Sequence, residues 1–300
     1  MTSTFLHRSA GVALCALAVF LGSSTAACGR KEAAAPPVAT PSVKLSHERV
    51  PLGSPVEITY QFTVAKDAKF DENYRVFVHV VDADEELMWT DDHDPPIPTT
   101  QWKPGQTVQY TRTVWVPVYP YVGEAAIQLG LHSIKTQKRL PLAGQDIGQH
   151  SYKVARMQIA PQTDSIFTVN KDGWHAAEVA DNSASVQWTW TKKDATLAFK
   201  NPNADAIFYL DVDNPGGDFT GQQHVTVKLN GETVDQFELI PKQEQLRKIA
   251  LPATKLGNNE MAEVRISVDK TFVPMQLSPA SKDPRELGVR VLHAFVARAQ

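Results

Sequence analysis

The run Val56–Val64 constrains this chain more than any other segment. Val56, Ile58, Tyr60, Phe62 and Val64 alternate with Glu57, Thr59, Gln61 and Thr63. Apolar residues at a period of two put one face of a strand on a core and leave the other to water. Similar runs follow. Tyr74–Val81 is apolar or β-branched except at Arg75 and His79, which predicts a central strand covered on both faces. Val108, Tyr110, Val114 and Val116 mark another strand, entered through Pro104-Gly105. Ile127, Leu129 and Leu131 alternate again, and Tyr152–Ile159 closes the series. With Val43–Val50 and Leu87–Thr90 the count is about seven strands over about 120 residues, the size of an immunoglobulin-like sandwich.

The second half repeats the pattern. Ser185–Trp190, Ala195–Phe199, Ile207–Val212, His224–Asn230, Glu232–Leu239, Gln245–Leu251, Ala262–Val268 and Leu287–Val296 have strand character. About eight strands suit a jelly-roll sandwich. Asn230-Gly231 is the dipeptide preferred in a type I′ hairpin turn, so the two strands flanking it should pair directly. Twenty prolines and sixteen glycines are spread among these short runs, and long helical periodicity is missing from the body. The expected fold class is all-β: two tandem β-sandwiches, Ig-like and then jelly roll.

The N-terminus is of another kind. His7 and Arg8 precede an apolar stretch, Ala10–Leu21, and small residues fill Gly22–Ala27. That is the three-part order of a secretory signal. Its apolar core is too short for the roughly 20 residues of a membrane-spanning helix. Ala26-Ala27-Cys28 resembles the cleavage site of bacterial lipoproteins, with Thr25 standing where that pattern has Leu. Thr25-Ala26-Ala27 also resembles the small-x-small site of ordinary cleavage after Ala27. The cysteine count favours the lipoprotein. The chain has two cysteines, and Cys15 would leave with the leader, so Cys28 could form no internal disulfide. A lipidated Cys28 is expected, and the resemblance implies several acyl chains, enough for a stable membrane anchor. Gly29–Ser42, rich in Ala and Pro, then reads as an extended tether of up to roughly 40 Å. The expected organisation is a leader at 1–27, lipidated Cys28 and tether at 28–42, an Ig-like sandwich at 43–160 and a jelly roll at 161–300.

Two further resemblances bear on setting. Val76–Asp84, Asp91–Val108, Ile127–Ser133 and Lys138–Gly144 are similar to a sandwich module of bacterial envelope proteins, also found behind the membrane part of some glycosyltransferases. Leu229–Val234, Thr271–Leu277 and Asp283–Val296 resemble galactose-binding-like sandwiches appended to bacterial glycosyltransferases. The likeness implies a carbohydrate-related setting in the extracytoplasmic envelope and carries no catalytic residues.

Candidate sites follow from chemistry. Sugars lay apolar C–H faces on aromatic rings, which makes Trp89, Trp102, Tyr119 and Tyr121 the ligand candidates, although large aromatics mostly serve burial. Asp211, Asp213 and Asp218 lie in DVDNPGGD, where acids and glycines suggest a structural calcium loop, against a plain polar turn. Asp91-Asp92-His93-Asp94 offers hard ligands, but strand alternation turns neighbours to opposite faces. Asp283 and Arg285 are expected to brace the last strand. A formal net charge of −3 makes no electrostatic case for nucleic acid. G-x-S-x-G does not occur. No other cofactor is indicated. The expectation is a non-catalytic, membrane-anchored lipoprotein that binds polysaccharide or an envelope protein; the alternative is an assembly subunit with no sugar binding.

Overall fold

The computed structural model describes residues 35–180, 183–215 and 221–299. Cys28 and Asp218 lie outside them. The first sandwich is built from β1 (Ala39–Leu45), β2 (Arg49–Pro51), β3 (Pro55–Val64), β4 (Arg75–Val81), β5 (Leu87–Thr90), β6 (Thr107–Trp115), β7 (Gly123–His132), β8 (Arg139–Leu140) and β9 (Tyr152–Ala160). One sheet has the order β1-β3-β6, the other β2-β9-β7-β4-β5, with β8 beside the end of β7. β2 runs parallel to β9, and the other pairs are antiparallel. The alternation in β3 does what its period requires: Val56, Ile58, Tyr60, Phe62 and Val64 are all buried. They face Val76, Val78 and Val80 of β4 and Ile127, Leu129 and Leu131 of β7 in one core. Each such side chain contributes about 1.5–3 kcal/mol by leaving water.

A polar network sits at the edge of that core. The Asp91 carboxylate accepts from the Tyr60 hydroxyl at 3.0 Å and from Arg112 Nη2 at 2.7 Å. His93 Nε2 lies 2.8 Å from the Tyr110 hydroxyl, and its ring is buried. Burial, then the Asp91 carboxylate, pushes the Tyr60 phenol far above its ordinary value. Asp92 and Asp94 point the other way, Asp92 accepting from the Val78 amide at 2.9 Å and Asp94 lying 3.6 Å from Arg75. The four-residue acidic run is thus divided between two faces, as strand alternation requires.

The second sandwich comprises β10 (Thr168–Asn170), β11 (Glu178–Ala180), β12 (Ser183–Trp190), β13 (Asp194–Lys200), β14 (Ala206–Asp213), β15 (Gln223–Leu229), β16 (Glu232–Leu239), β17 (Gln245–Leu251), β18 (Met261–Val268) and β19 (Arg290–Arg298). Its sheets run β10-β13-β18-β15-β16 and β11-β12-β19-β14-β17. From β12 onward the chain changes sheet at every step except the β15–β16 hairpin, as a jelly roll does. Asn230 and Gly231 turn that hairpin with φ of 48° and 94°, the double left-handed conformation of a I′ turn. Phe199, Phe208, Leu210, Val227 and Val264 fill a separate core.

The structure departs from expectation at the short elements. Val43–Val50 is divided: β1 starts at Ala39, within the expected tether, and β2 crosses to the opposite sheet. Pro41 is tolerated because β1 is an edge strand. β2, β8, β10 and β11 have two or three residues, too few to display a period.

The two sandwiches meet within the compact unit Pro36–Gln300. Trp115, ending β6, stacks on His293 of β19 with ring centroids 4.0 Å apart and planes at 8°. Tyr209 and Phe295 meet the same indole edge-on at 6.2 and 6.1 Å. Lys248 pairs with Glu57 across the joint. Among the described residues no helix is long and apolar enough to cross a membrane.

Candidate ligand-binding hollow

Alternation also decides what the outer face of the second sheet carries. With Val76, Val78 and Val80 turned to the core, Phe77 and His79 of β4 face outward. Across the ladder Phe77 pairs with Gly130 and His79 with Gln128. His132 lies two residues beyond Gly130 and pairs with Arg139 of β8. Phe77, His79, His132 and Arg139, with Asp92, Gln137, Gln149 and His150, line an open hollow of about 480 Å³.

Gly130 makes room for it. A Cβ there would stand 2.4 Å from the Phe77 ring and 2.6 Å from the His150 carbonyl oxygen. The bare backbone lets Phe77 lie flat on the sheet and lets the loop before β9 close over it. That loop bends tightly: Gln149 and His150 both have φ of 54°. Consecutive non-glycine residues in this region store strain, which concentrates at binding sites. Phe77 itself is 2% exposed because Arg139 covers it, the guanidinium carbon 4.2 Å from the ring centroid. His79 and His132 flank the ring at 5.2 and 6.0 Å.

The lining holds one fixed cation and one fixed anion. Arg139 Nη1 donates to the Gln149 carbonyl at 3.2 Å, and no carboxylate lies within ion-pair distance of it among the described residues. His132 Nδ1 is buried without a hydrogen-bond partner among the described residues. Burial lowers the His79 pKa, and Arg139 and His132 act in the same direction, while Asp92 opposes them. His79 is therefore a neutral ring at pH 7, able to donate from one nitrogen and accept at the other.

The residues singled out from sequence lie elsewhere. Trp102 is 5% exposed, packed on Phe62 at 5.1 Å and Phe70 at 5.5 Å, and its indole N–H donates to the Ile97 carbonyl at 2.8 Å. It is a core residue, and burial removes it as a sugar platform. Trp89 is half-buried against the same core, with its indole nitrogen enclosed and unpartnered. Tyr119 and Tyr121 also pack on that core, and the Tyr121 hydroxyl donates to the Glu124 carbonyl at 2.6 Å. None of the four lines the hollow.

Of the three acids expected in a calcium loop, the structure describes two, and both face basic or imidazole partners. Asp213 is bonded by Arg290 at 2.6 and 2.5 Å, and Asp211 Oδ2 lies 3.2 Å from His293 Nδ1. Each acid sits directly opposite its partner across the β14–β19 ladder. Asp213 is committed to Arg290, while Asp211 faces His293 through Oδ2 and keeps Oδ1 buried without a hydrogen-bond partner among the described residues; among those residues no three His, Cys, Asp or Glu side chains converge on one ion position. Asp283 and Arg285 do pair, Arg285 forking onto Asp283, but the pair reaches Glu178 on β11 at 2.7 Å rather than the last strand, β19.

A second hollow, of about 350 Å³, lies at the joint between the sandwiches, lined in part by Pro55, Glu57, Ile207, Tyr209 and Phe295.

No protein-family model matches the chain, and no curated protein matches it. Among solved structures, the GH115 4-O-methyl-α-glucuronidase BtGH115A is 17% identical over 49% of this chain and 20% of its own, with a TM-score of 0.31. The chain thus spans about a fifth of that enzyme. A family 35 carbohydrate-binding module from Clostridium thermocellum is 11% identical over 44% of this chain and 99% of its own, at 0.28. The ANX2 ectodomain from Arabidopsis thaliana is 11% identical over 87% and 88%, at 0.29. Likeness at this level does not identify a site or an activity for this chain.

Proposed function

We propose that this chain is a non-catalytic binding module, anchored to a bacterial envelope membrane through lipidated Cys28, that holds a glycan in the hollow over Phe77. The observation that carries the reading is the hollow itself. Its volume of about 480 Å³ falls within the range of small-molecule sites. Its lining is planar and polar: three imidazoles, two amides, a guanidinium and a carboxylate. Such groups match ring hydroxyls, each of which donates and accepts. Hydrolysis of a glycoside takes two facing carboxylates, and Asp92 is the single carboxylate of the lining.

The anchor rests on the cleavage pattern at Ala26-Ala27-Cys28 and on the lack of another cysteine outside the leader for Cys28 to pair with. A glycan array probed with purified protein tests the binding. The expected result is retention of a defined set of saccharides by the wild type and its loss in Gly130→Ala; uniform silence overturns the reading. Fractionating cells that express Cys28→Ser tests the anchor. The variant should leave the membrane fraction, and its retention there overturns lipidation at Cys28.

A further inference from the structure

We infer that the hollow over Phe77 takes a sugar bearing a carboxylate, gripped by Arg139. The inference rests on the glycan reading above and narrows it. Arginines of the described residues fall into three groups. Arg49, Arg75, Arg112, Arg156, Arg247, Arg285 and Arg290 each have a carboxylate partner. Arg265 and Arg298 have none and are exposed, where water serves. Arg139 has none and is half-buried.

A guanidinium carries five N–H donors in a rigid fork. Arg139 uses one nitrogen on the Gln149 carbonyl, and its remaining N–H groups have no protein acceptor among the described residues. The Phe77 ring beneath it fixes the guanidinium at 4.2 Å, so the fork is held in place before any ligand arrives. A partly desolvated cation without an anion is unfavourable, and an incoming carboxylate relieves that cost. The match is bidentate. His132, on the adjacent strand, also lines the hollow, its Nδ1 enclosed and without a hydrogen-bond partner among the described residues.

Asp92 selects among anions. It shares the hollow, and its carboxylate repels a dianionic phosphate or a cluster of sulfates. A single carboxylate on a hydroxylated ring meets Arg139 at one end and offers hydroxyls to Asp92 and the imidazoles at the other. Uronic acids have that layout.

Calorimetric titration of the full-length protein with short oligomers of galacturonate and of glucuronate, each as the free acid and as its methyl ester, tests this. One acid should bind, and its ester, larger by one methyl group and neutral, should bind about tenfold or more weakly. Arg139→Gln should lose that difference, while Arg139→Lys, which keeps the charge without the fork, should keep part of it. Unchanged near-ultraviolet circular dichroism certifies the fold of each variant, and His132→Gln serves as a second, smaller change expected to weaken the acid. Equal binding of acid and ester, or no effect of Arg139→Gln, overturns the carboxylate assignment. Binding of a neutral glycan with no binding of any uronate overturns it as well and leaves the glycan reading standing. Silence towards every saccharide removes both.

Discussion

Replacing Gly130 by Ala tests whether the hollow is built by the missing side chain. The new methyl carbon would lie 2.4 and 2.5 Å from two carbons of the Phe77 ring and 2.6 Å from the His150 carbonyl oxygen. Contact at ordinary van der Waals distance needs more than an ångström of retreat, and one of the obstacles is backbone. Overpacking of this kind costs about 1–3 kcal/mol. Against it, alanine in a strand gains about 0.5–1 kcal/mol over glycine through the unfolded chain. Taking the middle of each range, the net expectation is a loss of about 1 kcal/mol. For a sandwich of about 120 residues that is a fall in Tm of roughly 2–8 °C. Urea titration followed by circular dichroism and a thermal scan measure it. A double variant with Phe77→Leu should recover part of the loss, since leucine vacates the ring position that the methyl enters. A Gly130→Ala protein as stable as the wild type, or a double variant showing no recovery, refutes the steric argument and with it the origin of the hollow.

Other expected outcomes are as direct. Asp91→Ala strands the buried Tyr60 hydroxyl and frees the partly exposed Arg112 fork, which water can serve, and should cost about 1–3 kcal/mol by chemical denaturation. Burial lowers the pKa of His47, His79 and His93 below the unfolded value of 6.5, so the unfolded chain takes up their protons first as pH falls. Stability from these rings is complete above about pH 6.5 and lost as pH drops through their folded values; Tm measured from pH 7.5 to 5 should fall, and less steeply in His93→Gln. Trp115→Ala removes the stack on His293 and the edge contacts with Tyr209 and Phe295, about 0.5–1.5 kcal/mol each. Limited proteolysis between β9 and β10 should accelerate in that variant. Asp213 is held by Arg290, so millimolar calcium should leave Tm unchanged, and a rise would place an ion where the structure has a guanidinium.

Much of the fold was legible because a strand repeats every two residues. Val56–Val64 declared its buried face without help from its neighbours, and Asn230-Gly231 declared the β15–β16 turn through the φ that both residues accept. Cys28 and the apolar segment before it suggested export on local pattern alone. The site was less legible. Alternation does put Phe77 with His79, and Gly130 with His132, on the outer face, a signal that the apolar character of Tyr74–Val81 concealed. What a period of two does not encode is which strands pair, or in what register. Pairing β4 with β7 set Phe77 opposite Gly130, and pairing β7 with β8 brought Arg139 to His132. The same holds for the acids of β14: in sequence Asp211 and Asp213 resemble a cation loop, and only their register with β19 showed His293 and Arg290 opposite them. Strand period is a property of covalent geometry and polarity along the chain, so the sequence by itself determined the fold class. Register is settled by packing between segments far apart in the chain, so the tertiary structure decided where unpartnered charge and open space coincide.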